Sequence, residues 1–173
     1  YDLSENVPQK IFKNELGKSE IKLKGKDITV IGMSNTTHEI LSMKKFFFDN
    51  KIHPEIIDLI SISPLDMKTI KKSVDKTGKL LIWDTCHKSF STSREIISNL
   101  IEYKKNIFKS EPIVMGMPDI PTPTGFSLTK KYYPSKNDLA KNIFKILKID
   151  HGNYKSIPRI IDHDRPKEFI GPF

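Results

Sequence analysis

The sequence predicts an α/β fold in three layers, a mostly parallel five-stranded sheet with helices on both faces. Three observations predict it. From Asp27 onward the apolar period switches repeatedly between about two and about 3.6 residues. The short apolar runs are rich in β-branched residues, as strands buried on both faces are. The stretches between them are long enough to cross over as helices, which closes parallel pairs with right-handed connections. A ligand in such a fold sits at the carboxyl ends of the strands.

Four strands and four helices can be placed in order. Residues 27–33 read as the first strand, and the helix after them opens with Thr36 and Glu39 at capping-box spacing and buries Ile40, Met43 and Phe47 before ending near Asn50. Residues 55–60 are the second strand. In the next helix Ser63 is expected to cap, Pro64 to occupy the first helical position, where no N–H is needed, and Asp66 to return to the cap. Met67, Ile70 and Val74 form its buried stripe and Gly78 stops it. Residues 80–84 are the third strand, followed by a helix whose Thr92 and Glu95 form another box and whose Ile96, Ile97, Leu100 and Ile101 turn inward. Residues 112–117 are the fourth strand. Pro118, Pro121 and Pro123 then hold an extended surface path, and a last helix, capped by Ser135 with Asp138, buries Leu139, Ile143, Phe144 and Leu147. The expected organisation is a linker from an upstream domain over 1–26, an α/β domain over 27–149 and an arm over 150–173.

Composition narrows the function classes. Charged residues make up 29% and hydrophobic ones 37% of 173 residues, which suits one folded domain, and no apolar run approaches the roughly 20 residues of a membrane span. The N-terminus lacks the pattern of a signal peptide, and a chain starting at Tyr1 is expected to be processed, trimmed or cut from a longer polypeptide. The net charge of +8 is spread along the chain without a basic, aromatic-interleaved stripe, which speaks against nucleic acid as the partner. One cysteine, Cys86, and the absence of zinc spacing point to a reducing, cytoplasmic setting. The turn after the first strand has one glycine, Gly32, where a dinucleotide fingerprint needs three, and no phosphate loop occurs.

Five phrases in one order carry a resemblance. They are the segments at 16–21 and 24–31, the phrase 57–66 with Asp58-Leu59 followed by Ser63-Pro64-Leu65-Asp66, the stretch 77–84, and the closing pair, 118–124 with Lys131-Tyr132-Tyr133-Pro134. Together they resemble the C-terminal domain of the beta subunits of 2-oxoacid dehydrogenases of the pyruvate and branched-chain type, which is also the third domain of transketolases. The stretch 86–92 departs from a glycine pair frequent in that group. The resemblance implies a thiamine-diphosphate-dependent parent enzyme whose cofactor and Mg²⁺ lie between two other domains, with this domain serving subunit association. It implies that the chain alone is inactive and binds no cofactor. It implies a homo-oligomer or an assembly of alpha and beta subunits, and a dihydrolipoyl acyltransferase as a further partner. A transketolase or related ketol-transferring synthase is the alternative parent; a free-standing interaction module is the other alternative.

No catalytic, cofactor-binding or metal residue is assigned. The interface candidates are Phe169 and Phe173, aromatics in the proline-bearing arm, and Asp119, Pro121 and Pro123 in the proline-rich segment. Other chemistry-bearing residues read as ordinary: Cys86 beside His87 as a buried thiol without nucleophile chemistry, His38 as a surface or capping residue, Asp58 and Asp84 at strand ends as caps or ion pairs. Asp162, His163 and Asp164 are adjacent and converge poorly on one ion.

Overall fold

A computed structural model describes residues 15–150, together with residues 9 and 13. Its sheet has five strands: β1 (Glu20–Leu23), β2 (Ile28–Gly32), β3 (Pro54–Asp58), β4 (Leu80–His87) and β5 (Ile113–Met117). They lie in the order β1-β3-β2-β4-β5. All neighbours are parallel except β1 with β3, where Glu20 stands opposite Asp58 and Ile21 opposite Ile57. The helices are α1 (Asn35–Ser42), α2 (Lys44–Asp49), α3 (Met67–Thr77), α4 (Thr92–Tyr103), α5 (Phe126–Tyr132) and α6 (Lys136–Leu147).

The strands alternate between two cores, which makes the three layers. Val30, Ile56, Leu81 and Trp83 face Ile40, Phe47, Ile143 and Phe144 of α1, α2 and α6. Ile31, Ile57 and Ile82 face Ile70 and Val74 of α3 and Ile96 and Leu100 of α4. Each such buried aliphatic side chain contributes about 1.5–3 kcal/mol. On the first face Phe46 meets Phe144 edge-on, ring centres 5.7 Å apart. On the second, Thr29 is buried yet satisfied, its hydroxyl 2.8 Å from those of both Ser73 and Thr77.

Several sequence expectations hold. Gly78 takes the left-handed conformation, φ 68°, and ends α3 with its N–H on the Val74 carbonyl. Ser135 and Asp138 form the full capping box of α6. Leu139, Ile143 and Phe144 are buried, and Leu147 is half-buried.

Others are corrected. The single helix expected to run to Asn50 is two, joined at Met43, whose N–H bonds to the Ile40 carbonyl in a tightened turn. Its capping box is absent because α1 starts earlier, with Ser34 at the N-cap, which leaves Thr36 inside the first turn; there Thr36 Oγ1 lies 2.8 Å from the Trp83 carbonyl, and Glu39 pairs with Lys136 of α6 at 2.9 Å. The helix at 67 is capped by Asp66, which accepts from Thr69 N at 3.1 Å; Ser63 and Pro64 lie outside it. The box expected of Thr92 and Glu95 does not form because Ser91 is at the N-cap and Thr92 is already helical; Asp84 of the sheet accepts from Ser93 N of the first turn at 3.1 Å. Ile101 is exposed, on the outer side of α4. The third strand continues to His87. β1 lies within the stretch read as linker, and a further helix, α5, follows the extended path after Gly125.

Candidate functional site

The carboxyl ends of β2, β3 and β4, where this fold class binds ligands, are closed by the chain's own groups. After β2 the chain turns through Ser34 at φ 53° into α1. A Cβ on Gly32 would stand 2.8 Å from Thr37 Cα and 2.9 Å from Ile40 Cδ1, so this glycine lets the helix close on the strand and leaves no cradle for a diphosphate. Thr37 Oγ1 donates to Asp58 at 2.6 Å. Asp84, buried, accepts from Ser93 N, from Ser93 Oγ at 2.6 Å and from Cys86 N at 3.1 Å. Asp84 therefore caps the first turn of α4, and Asp58 anchors α1 to the end of β3. Among the described residues no group of three or more His, Cys, Asp or Glu converges as a metal site would require. His38 is exposed in the first turn of α1.

A different arrangement forms beyond β4 and β5. Gly116 allows the two parallel strands to approach closely at the irregular end of their pairing, since a Cβ on it would meet the Cys86 carbonyl at 2.7 Å. Lys88 N then donates to the Met117 carbonyl at 3.0 Å, and the chain after β4 runs beside the proline-rich segment. Ser89 Oγ donates to Asp119 Oδ2 at 2.7 Å. The Ser89 hydroxyl bond, outweighing desolvation, with the Ser89 N–H and the His87 and Lys88 charges, holds the Asp119 carboxyl below its usual range. Tyr132, buried at the end of α5, places its hydroxyl 3.0 Å from His87 Nε2, 3.2 Å from Thr122 Oγ1 and 3.3 Å from the Ile120 carbonyl. These bonds latch the segment from both sides.

The latch gathers apolar side chains that nothing among the described residues covers. Phe90, next to Ser89, is fully exposed and holds φ 53°, a conformation rarely taken by a large residue. Ile120, next to Asp119, is 55% exposed, and Tyr133, stacked edge-on against Tyr132, is 42% exposed. Pro118 and Pro121 are exposed and Pro123 half-buried, so the segment lies on the surface as its prolines predict. Of the sequence candidates, Asp119, Pro121 and Pro123 fall together here. Phe169 and Phe173, with Asp162, His163 and Asp164, lie outside the described residues. Cys86, expected to be buried, is exposed instead, because it lies in the last three residues of β4, which project beyond the cores, and the His87 ring is engaged with Tyr132. Ser89, Phe90 and Tyr132 are the residues that sequence reasoning did not single out for this role. The pairing of Tyr132 with Tyr133 inside a proline-flanked phrase was the available signal.

With this geometry, similarity to known proteins has a physical frame. Residues 17–139 match the family described as "Transketolase, C-terminal domain", and the chain belongs to that family. It is 34% identical over 128 residues to the pyruvate dehydrogenase E1 component subunit beta of Porphyra purpurea, covering 74% of this chain and 39% of that protein. It is 27% identical over 148 residues to the beta subunit of the acetoin:2,6-dichlorophenolindophenol oxidoreductase of Cupriavidus necator, covering 86% of this chain and 44% of that one. A solved split-gene transketolase, an inactive beta4 tetramer, superposes with a TM-score of 0.66 at 19% identity, over 80% of this chain and 44% of its own. That likeness confirms the three-layer sheet fold. The chain spans about two fifths of the length of the pyruvate dehydrogenase subunits it matches.

Proposed function

We propose that this chain is the assembly domain of a thiamine-diphosphate-dependent 2-oxoacid dehydrogenase beta subunit, one that passes an acyl group to a lipoyl carrier. The observation that carries the reading is its 34% identity to pyruvate dehydrogenase E1 beta subunits. The latched apolar rim supports it, because exposed aromatic and aliphatic side chains on a fixed segment are the anchors of a protein contact. In this reading Phe90, Ile120 and Tyr133 bury against a neighbouring subunit or domain, and Asp119, Pro121 and Pro123 hold their path. Phe169 and Phe173 of the arm add to the contact.

Thiamine diphosphate and Mg²⁺ belong to the other domains of the parent enzyme, and this chain alone binds neither. The closed turn at Gly32, filled by Thr37 and Ile40, fits no diphosphate, so no chemical step is assigned to these residues. The assembly is a homo-oligomer or an alpha and beta hetero-oligomer in the cytoplasm, with a dihydrolipoyl acyltransferase as a further partner. A basic docking segment would need a local acidic patch on this chain of net charge +8. Among the described residues, no helix is long and apolar enough to cross a membrane.

Titration calorimetry of the chain with thiamine diphosphate and Mg²⁺ tests the division of labour. No Mg²⁺-dependent saturable heat is expected; micromolar binding of thiamine diphosphate that requires Mg²⁺ overturns the reading, whereas metal-independent heat reports only on phosphate binding by basic side chains. On the full enzyme, turnover with lipoyl or dye acceptors is expected, and turnover with sugar-phosphate acceptors alone would make the parent a transketolase.

A further inference from the structure

On the opposite side of the sheet from α6, a cleft of about 510 Å³ opens between β1 and α3. Its floor is Glu55 of β3. One wall is a stripe of α3, where Lys68, Lys72 and Lys76 recur four residues apart, on one face. The other wall is Ile21 of β1, with Lys18 before it and Lys24 after it. The walls are tied together at one end, where Asp66 accepts from Ser19 N at 2.9 Å and from Thr69 Oγ1 at 2.7 Å.

Charge is unbalanced here. Five lysines line the cleft against two carboxylates, Glu55 and Asp66. Glu55 is buried and bonded to the Lys76 ammonium, and Asp66 spends its oxygens on Ser19 and Thr69. Lys18, Lys24, Lys68 and Lys72 are exposed and no carboxylate within hydrogen-bonding distance answers them among the described residues. Elsewhere the surface answers several of its lysines: Lys22 pairs with Glu20, Lys104 with Asp75 and Lys136 with Glu39. Like charges four apart on a helix destabilise it by about 0.2–0.5 kcal/mol per pair. A concave wall that concentrates such charges focuses a positive potential into the cleft, and its size is that of a small-molecule site.

The geometry points to a binding site for a small polyanion bearing phosphate groups, held by Lys18, Lys24, Lys68 and Lys72 with its apolar body against Ile21. The site lies on the α3 side of the sheet edge, separate from the latched rim beyond β4 and β5. It does not depend on the proposed parent enzyme.

Inorganic triphosphate is the probe. Titrated into the isotopically labelled chain at low salt, it is expected to shift the amides of Ile21, Thr69 and Ser73 with one saturating isotherm. Lys68→Glu with Lys72→Glu reverses two exposed charges and is expected to weaken binding about tenfold or more, with an otherwise unchanged amide spectrum. The control carries the same charge change at Lys44 and Lys45, on the other side of the sheet, and is expected to bind as the parent does. Equal weakening in both variants, or shifts scattered over the surface, would show diffuse attraction to a basic protein and overturn the proposal. Tighter binding of a hexaglutamate peptide than of triphosphate in the same cleft would overturn the small-ligand assignment in favour of an acidic docking segment.

Discussion

The Tyr132 hydroxyl stands 3.0 Å from Nε2 of His87, so the last residue of α5 grips the last residue of β4. The same hydroxyl reaches Thr122 and the Ile120 carbonyl, which makes one buried atom the fastening of the proline-rich segment. Tyr132→Phe keeps the ring and removes the fastening. Shared hydrogen bonds of this kind contribute net about 0.5–1.5 kcal/mol each, and the expected loss is about 1–2 kcal/mol in total. Urea denaturation measures it, together with faster amide exchange at Ile120. An unchanged midpoint would mean the hydroxyl fastens nothing.

Gly32→Ala tests the closed turn. The added Cβ would sit 2.8 Å from Thr37 Cα, a backbone atom that cannot swing aside as a side-chain tip can. Overpacking at such a contact costs about 1–3 kcal/mol, and a thermal melt is expected to show the loss. A variant as stable as the parent would mean that α1 has room to withdraw, and with it that the turn has space for a ligand.

Much of this fold was legible in the sequence, and the failures share a cause. Gly78 and the Ser135–Asp138 box are local devices, complete within four residues, so the pattern alone locates them. The Thr36 and Thr92 boxes look the same in the sequence and do not form. Both helices begin earlier, with Ser34 and Ser91 at the N-caps, and tertiary partners fix that start: Thr36 meets a carbonyl of β4, Glu39 meets Lys136 of α6, and Asp84 holds the first turn of α4. Non-local partners overrode local signals, and no spacing reveals them. The rim was legible only in part. Three prolines place its path, whereas the exposure of Phe90 depends on a turn conformation that a bulky residue seldom adopts.

Acid stability follows from two carboxylates. Burial raises the Glu55 pKa, but hydrogen bonds from Lys76 and Ser73, the Lys76 charge and the Gly25 N–H outweigh it and leave it below 4.5. Burial likewise raises Asp66, and bonds from the Thr69 hydroxyl and the Ser19 and Thr69 N–H groups, with the Lys18 charge, bring it below 3.8. A folded pKa below the unfolded one means that the unfolded chain binds more protons in that window. The contribution is complete above the unfolded values and is lost as pH falls through the folded ones. Unfolding free energy is therefore expected to decline on acidification below about pH 4.5. Glu55→Gln is expected to be less stable than the parent at neutral pH, with the gap closing as the pH drops. A gap constant down to about pH 3 would assign the loss to packing instead of charge.

Phe90 separates folding from contact most cleanly. A non-glycine residue in the left-handed region costs about 1–2 kcal/mol, and this ring, wholly exposed, recovers none of it from the described residues. Phe90→Gly removes that cost and adds backbone freedom to the unfolded state, which offsets about 0.5–1 kcal/mol of the gain. The expected stability change of the isolated chain is therefore small and favourable, about 0–1 kcal/mol by denaturation. Contact is expected to move the other way. If the ring is an anchor, the same variant weakens association about tenfold or more in sedimentation equilibrium of the assembled enzyme, because truncating a buried aromatic anchor costs about 2 kcal/mol or more. A variant that gains stability and assembles as before would show that the ring faces solvent in the assembly as well, and the contact would then have to be centred on Ile120 and Tyr133.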